Sequence, residues 1–137
     1  MTPRELWRFL PFGYLLSVAI ETPILLLGLS ARHSWKRRLF AGFWLTACTY
    51  PVVVLELPMF FDLREQRPLY LAVAETFAPV AECALFWMAF GTRELWGGRS
   101  MWRDFLVIVL ANLASFGAGE VLGYFGWLET WTGIGTM

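Results

Sequence analysis

Ala74-Glu75-Thr76-Phe77-Ala78-Pro79-Val80-Ala81-Glu82-Cys83 places two glutamates and a proline inside an apolar run from about Leu69 to Phe90. A run of that length crosses a bilayer, which takes roughly 20 residues. An ionisable side chain at membrane depth costs about 3 kcal/mol on insertion scales, so two on one span require a reason. Their seven-residue separation is close to two helical turns and puts both on one face. Pro79 lies between them. It has no N–H to donate, which frees the carbonyl of Glu75 on the carboxylate side of the helix.

The rest of the chain has the same character. Of 137 residues, 58% are hydrophobic and 18% aromatic, and mean hydropathy is +0.54. This is too apolar for a soluble domain of such size. Formal net charge is zero, so no basic surface recruits nucleic acid. Cys48 and Cys83 lie in different runs and form no C-x-x-C, so they leave the redox compartment open. Four runs reach spanning length, at about 9–29, 39–61, 69–90 and 105–127, with short loops between them. The expected fold is all-α: a single domain over 1–137, a four-helix transmembrane bundle.

The polar residues of these runs fall on faces. Tyr14, Ser17, Glu21 and Gly28 lie along one side of the first run, which is too long for a signal peptide and is interrupted by Glu21-Thr22-Pro23. Gly42, Thr46, Thr49, Val53 and Glu56 step along one side of the second, where Pro51 and Pro58 kink or end the helix. In the fourth, Asn112, Ser115, Gly119, Gly123 and Gly126 form a small and polar stripe beside Glu120. Gly119-x-x-x-Gly123 is a spacing that lets two helices in lipid approach closely. Trp127 and Trp131 are placed to anchor the tail at an interface.

Lys and Arg counts orient the chain. The first and third loops hold seven (Arg32, Lys36, Arg37, Arg38, Arg93, Arg99 and Arg103) against four elsewhere (Arg4, Arg8, Arg64 and Arg67). The positive-inside rule puts both termini on the non-cytoplasmic side of a plasma (inner) membrane. Glu56, Glu75 and Glu120 then lie roughly 8 Å of helix from the outer ends of their runs. Glu21 and Glu82 lie near mid-membrane.

Charge accounting restricts what these groups do. Five glutamates lie in the apolar runs, with no Lys, Arg or His among them. Five carboxylates in low dielectric cannot all stay ionised. Some hold protons, or a cation sits among them, or a partner chain supplies positive charge. Oxygen ligands favour hard monovalent or divalent cations, held by Glu75 and Glu82 if by any residues. Clustered carboxylates also share protons. Thr49, Ser17, Asn112 and Ser115 can add neutral oxygens and hydrogen bonds. The plainer readings are that Glu75 and Glu82 are protonated interhelical glue, and that Glu56 and Glu120 reach toward interfacial water. His33 lies in a basic loop and reads as solvated. No organic cofactor is implied: histidine is missing at membrane depth, and the one lysine lies in a loop. No paired-cysteine, His-metal or Ser-His constellation marks an enzyme.

Two resemblances bear on this. In length, four spans and a first-helix glutamate, Glu21, the chain resembles the small multidrug-resistance transporters. It departs from them in its later-helix glutamates and is not assigned to them. Glu75 and Glu82 seven apart, Asn112-x-x-Ser115-Phe116 in the fourth span and Thr49-x-Pro51 in the second resemble an uncharacterised group of small four-span prokaryotic membrane proteins. That resemblance implies a prokaryotic membrane protein and brings no activity.

The expectation is a cation- or proton-handling membrane protein, a transporter or permeation subunit. Glu75 and Glu82 stand at its centre, and Glu21, Glu56 and Glu120 complete the path. The alternative is a non-catalytic subunit of a larger membrane complex whose glutamates dock partner helices. Either way the bilayer is one partner, and a second copy or another membrane subunit is expected, because 137 residues hardly enclose a wide pore. Glu75, Glu82 and at least one of Glu21, Glu56 and Glu120 are expected to converge on one polar cavity, open toward the outer side.

Overall fold

Each apolar run folds as a helix, and each helix begins ahead of its run. In this computed structural model, which describes residues 3–126, α1 spans Pro3–Gly28, α2 Trp35–Pro51, α3 Arg67–Phe90 and α4 Arg99–Tyr124. Trp127 and Trp131 lie outside the described residues. Ser34 caps α2 by accepting from the Arg37 N–H at 3.2 Å. Pro51 ends the regular part of α2. The chain continues as a π turn over Val52–Glu56 and a tighter 3-10 turn over Leu57–Phe60. With this extension counted, all four helices are long and apolar enough to cross a membrane.

The helices pack in a ring, α1 on α2, α2 on α3, α3 on α4 and α4 back on α1. Their outer surfaces are apolar: Leu15, Leu27, Phe43, Val80, Met88, Leu106 and Leu113 are exposed. Polar residues lie inside, with Glu21, Thr46, Thr49, Glu82, Asp104 and Asn112 all buried. An apolar skin of this extent is untenable in water. It is what a bilayer requires, and the fold is that of a multi-pass membrane protein. Cys48 falls on the exposed side of α2, not in the interior where a small buried hydrophobe would sit.

The apolar core occupies one half of the bundle. Leu25, Leu29, Ala41, Leu45, Phe86, Val107, Ile108 and Ala111 fill the half that includes the C-terminal end of α1 and the N-terminal part of α4. Two glycines on α1 and α2 permit the closest helix approaches there. A Cβ on Gly28 would strike Val107 of α4, and one on Gly42 would strike Thr22 of α1.

The end beyond this core is tied by charge. Asp104, 1% exposed, accepts from the Ser30 N–H at 2.7 Å, the Ser30 hydroxyl at 3.0 Å and His33 Nε2 at 2.8 Å. Arg37, which can only donate, approaches His33 Nδ1 at 3.4 Å, so Nδ1 accepts and Nε2 carries the proton. His33 is therefore not solvated as its basic loop implied: it is buried against Asp104, with the Phe86 ring at 4.9 Å between centroids. The loop arginines close the helix ends. Arg38 donates to Leu26, Ser30 and His33 carbonyls, Arg103 to Gly28 and Arg32 to Phe90. Leu26, Gly28 and Phe90 present the C-terminal carbonyls of α1 and α3, which have no partner within their helices.

Candidate functional site

The other half of the bundle encloses a cavity of about 630 Å³. It runs along α1 from Leu6 to Glu21, which is roughly 22 Å of helix. Its far wall includes Val53, Pro58 and Leu63 beyond α2, Arg67 to Glu82 on α3, and Asn112 to Tyr124 on α4. Arg67 and Tyr124 at one end are exposed, so the cavity opens at the N-terminal ends of α1 and α3 and closes on the apolar core.

Glu21 and Glu82 form its floor, each 3% exposed. Glu21 accepts from the Thr46 hydroxyl at 3.0 Å and the Ser115 hydroxyl at 2.6 Å. Glu82 accepts from the Thr49 hydroxyl at 2.7 Å and the Asn112 amide at 2.7 Å. Each carboxyl thus bridges α2 and α4, one reaching in from α1 and the other from α3. Thr46 and Thr49 are one turn apart on α2, and Asn112 and Ser115 one turn apart on α4. The two carboxyls therefore lie at the same depth, within about 5 Å of each other along the bundle axis. All four oxygens have a neutral donor, and none has a cationic one.

Glu75 is half-buried, two turns nearer the mouth on the same cavity wall. Glu120 stands at the rim and pairs with Arg67 at 3.0 Å, both side chains well exposed. Arg67 begins α3 just ahead of the apolar run, so it supplies one counter-charge that the runs themselves lack. Ser17 lines the cavity one turn from Glu21, and Tyr50 and Tyr70 line it as well. Tyr70 donates to the Val53 carbonyl at 2.7 Å, satisfying a carbonyl of the π turn.

One expectation fails, and another is not met within the chain. Glu56 does not join the other glutamates. It is exposed and lines a separate surface groove with Pro3, Glu5 and Trp7. The cause is the π turn that starts after Pro51: one extra residue per turn rotates the next stretch of helix by about 100°. The face that carries Thr46 and Thr49 inward therefore carries Glu56 outward. Within the chain, Gly119 and Gly123 make no close helix contact, which leaves contact with a second copy as the other half of that expectation. A Cβ on Gly119 would meet nothing within 4 Å, and Gly123 is exposed at the mouth. The helices diverge around the cavity here, so the small stripe of α4 faces space and not a neighbouring backbone.

Thr46, Tyr50, Tyr70 and Arg67 belong to the site, although counting charges within the apolar runs does not point to them. The sequence does carry a signal for Thr46. Thr46-x-x-Thr49 and Asn112-x-x-Ser115 are the same one-turn polar spacing, on the spans that carry no buried glutamate of their own. Among the described residues, no three His, Cys, Asp or Glu side chains come together to hold a metal ion. The donor set at Glu82 is a hydroxyl, an amide and its own carboxyl.

Compared with known proteins, the chain matches no family model, no curated protein and no solved structure.

Proposed function

We propose that this chain is a small membrane transporter or permeation subunit that handles a cation and protons through the carboxylates of its cavity. One observation carries the reading: four carboxylates (Glu21, Glu75, Glu82 and Glu120) and one guanidinium (Arg67) line the same cavity. The imbalance attracts positive charge, and low-dielectric walls strengthen that attraction. The volume suits a small organic cation better than a bare metal ion, being within the range of small-molecule sites. Phe9, Tyr50, Tyr70 and Phe116 on the walls offer aromatic faces, which favour ammonium and guanidinium groups. With the loop arginines on the cytoplasmic side, the mouth faces outward.

A role for the buried glutamates in docking partner helices has less support. Glu21 and Glu82 turn inward and are engaged within the chain. Contact with a second copy or another membrane subunit would fall to the apolar outer faces.

Thermal unfolding of the purified chain, titrated with sodium, calcium, guanidinium and tetraethylammonium at an acidic and an alkaline pH, tests the proposal. A bound cation stabilises by mass action. Protons compete for the same carboxylates, so the organic cations should stabilise more at alkaline pH, and Glu82→Gln should abolish the effect. If no cation stabilises the wild type at either pH, the proposal fails.

A further inference from the structure

The contacts of Glu21 and Glu82 obey a two-fold rule. Exchanging α1 with α3 and α2 with α4 converts Glu21 into Glu82, Thr46 into Asn112 and Ser115 into Thr49. Each glutamate then keeps one donor from the next helix in sequence, Thr46 for Glu21 and Asn112 for Glu82. Each also keeps one donor from the other hairpin, Ser115 for Glu21 and Thr49 for Glu82. Because α1 and α3 run parallel, the axis lies along the bundle. Parallel repeats of this kind are known among membrane transporters.

Three of the four donors are hydroxyls, and each has a second acceptor within its own helix. Thr46 also lies 3.0 Å from the Gly42 carbonyl, Thr49 3.1 Å from that of Leu45, and Ser115 3.0 Å from that of Asn112. A hydroxyl has one proton to give. Facing a carboxylate it donates to the carboxylate; facing a protonated carboxyl it accepts, and turns its own proton to the backbone. Asn112 has two N–H protons and uses them on Glu82 and the Ile108 carbonyl, whichever state Glu82 is in.

We infer that Glu21 and Glu82 are the two halves of one proton-sharing site, holding a single proton between them. In one state Glu82 is protonated on Oε1 and donates to Thr49, which donates to Leu45, while Thr46 and Ser115 both donate to ionised Glu21. In the other the proton has left Glu82 and resides on Glu21, which donates to Ser115 or Thr46. The hydroxyl that accepts turns its proton to its own backbone carbonyl, and Thr49 now donates to ionised Glu82. The proton count is equal in the two states, and neither leaves a buried donor unpaired. Two carboxyls at the same depth of one cavity, with neutral donors alone, do not both ionise. The other titratable or charged groups lining the cavity are Tyr50 from α2, Arg67, Tyr70 and Glu75 from α3, and Glu120 and Tyr124 from α4. Arg67, the one cation, is at the rim and paired with Glu120. The inference deepens the proposed function, since a cation arriving at the pair would displace the shared proton, and it rests on that reading only in taking this cavity as the working site.

Infrared spectroscopy of the full chain in lipid reads the proton through the C=O band of protonated carboxyls, with wild type minus variant spectra removing the contribution of Glu75 and Glu120. A shared proton predicts a band equivalent to one carboxyl in the wild type and a band of the same intensity, at the frequency of the remaining glutamate, in both Glu21→Gln and Glu82→Gln. Burial among neutral donors keeps the proton on whichever glutamate remains. Loss in one variant alone would localise the proton and overturn sharing. Half loss in each would mean two neutral carboxyls, and no band in the wild type would mean two anions; either overturns it. Loss of the band in both variants also overturns it. Should a Gln variant fail to fold, Thr49→Val removes the hydroxyl that donates to ionised Glu82, a charge-assisted bond stronger than the one it accepts from the neutral carboxyl. The band should then move to the Glu82 frequency at full intensity, and an unchanged band contradicts the inference. None of these readings depends on flux, so a chain that moves no cation would sink the proposed function and leave the proton assignment standing.

Discussion

Two ends of this bundle bury carboxylates, and they do so differently. At the core-side end Asp104 is enclosed by a backbone N–H, a hydroxyl and His33, with Arg32 at 3.8 Å. At the cavity end Glu21 and Glu82 are as deeply buried, yet hydroxyls and one amide are their partners, and open volume adjoins them. Burial alone therefore does not mark a working carboxylate. Asp104 has its positive charge in place and serves as an anchor between the first loop and α4. The glutamates lack one and have room to receive it.

The largest expected effect breaks the anchor. Asp104→Ala should destabilise the chain by about 3–5 kcal/mol, because it leaves the Ser30 N–H and His33 Nε2–H buried without an acceptor, at roughly 1–3 kcal/mol each. Glu82→Gln should cost less than about 1 kcal/mol, because an amide replaces the carboxyl with its hydrogen bonds largely kept. Thermal or denaturant unfolding in the same detergent measures both. Similar losses in the two variants would erase the distinction between the ends.

A second pair of variants sharpens the difference in packing. Gly42→Ala pushes a methyl into Thr22 and should cost about 1–3 kcal/mol, the range for overpacking a tight interface. Gly119→Ala adds a methyl to open space and should stabilise by up to about 1 kcal/mol through helix propensity. The reverse order would place the close helix contact at the cavity end after all. The smallest effect belongs to the rim. Arg67→Ala removes an exposed ion pair and should change stability by less than about 1 kcal/mol. It should also tighten cation binding, since it deletes the one positive charge on the cavity wall. Weaker binding would contradict the assignment of the cavity as a cation site.

Much of this architecture is legible in the residues. Hydropathy locates the four helices, and the cost of carboxylates in lipid directs attention to Glu21, Glu75 and Glu82. The features that cannot be read along the chain depend on backbone phase or on distant partners. Glu56 sits two helical turns beyond Thr49, and a π turn after Pro51 moves it to the outside. His33 looks like part of a solvated basic loop because Asp104, 71 residues away, is what draws it inward. Gly119 and Gly123 have the spacing of a packing motif, but whether a helix lies opposite is decided by where the bundle opens. The paired Thr46-x-x-Thr49 and Asn112-x-x-Ser115 are visible in the sequence, and their meaning requires knowing that α2 and α4 face each other across the two glutamates.

The central claim is that a cation entering the cavity takes the place of a proton at Glu21 and Glu82. Calorimetric titration of the purified chain with an organic cation, in two buffers of different ionisation enthalpy, measures the protons released on binding. The account predicts release approaching one proton per cation near neutral pH for the wild type and none for Glu82→Gln. Binding without proton release, or equal release from both proteins, would contradict it.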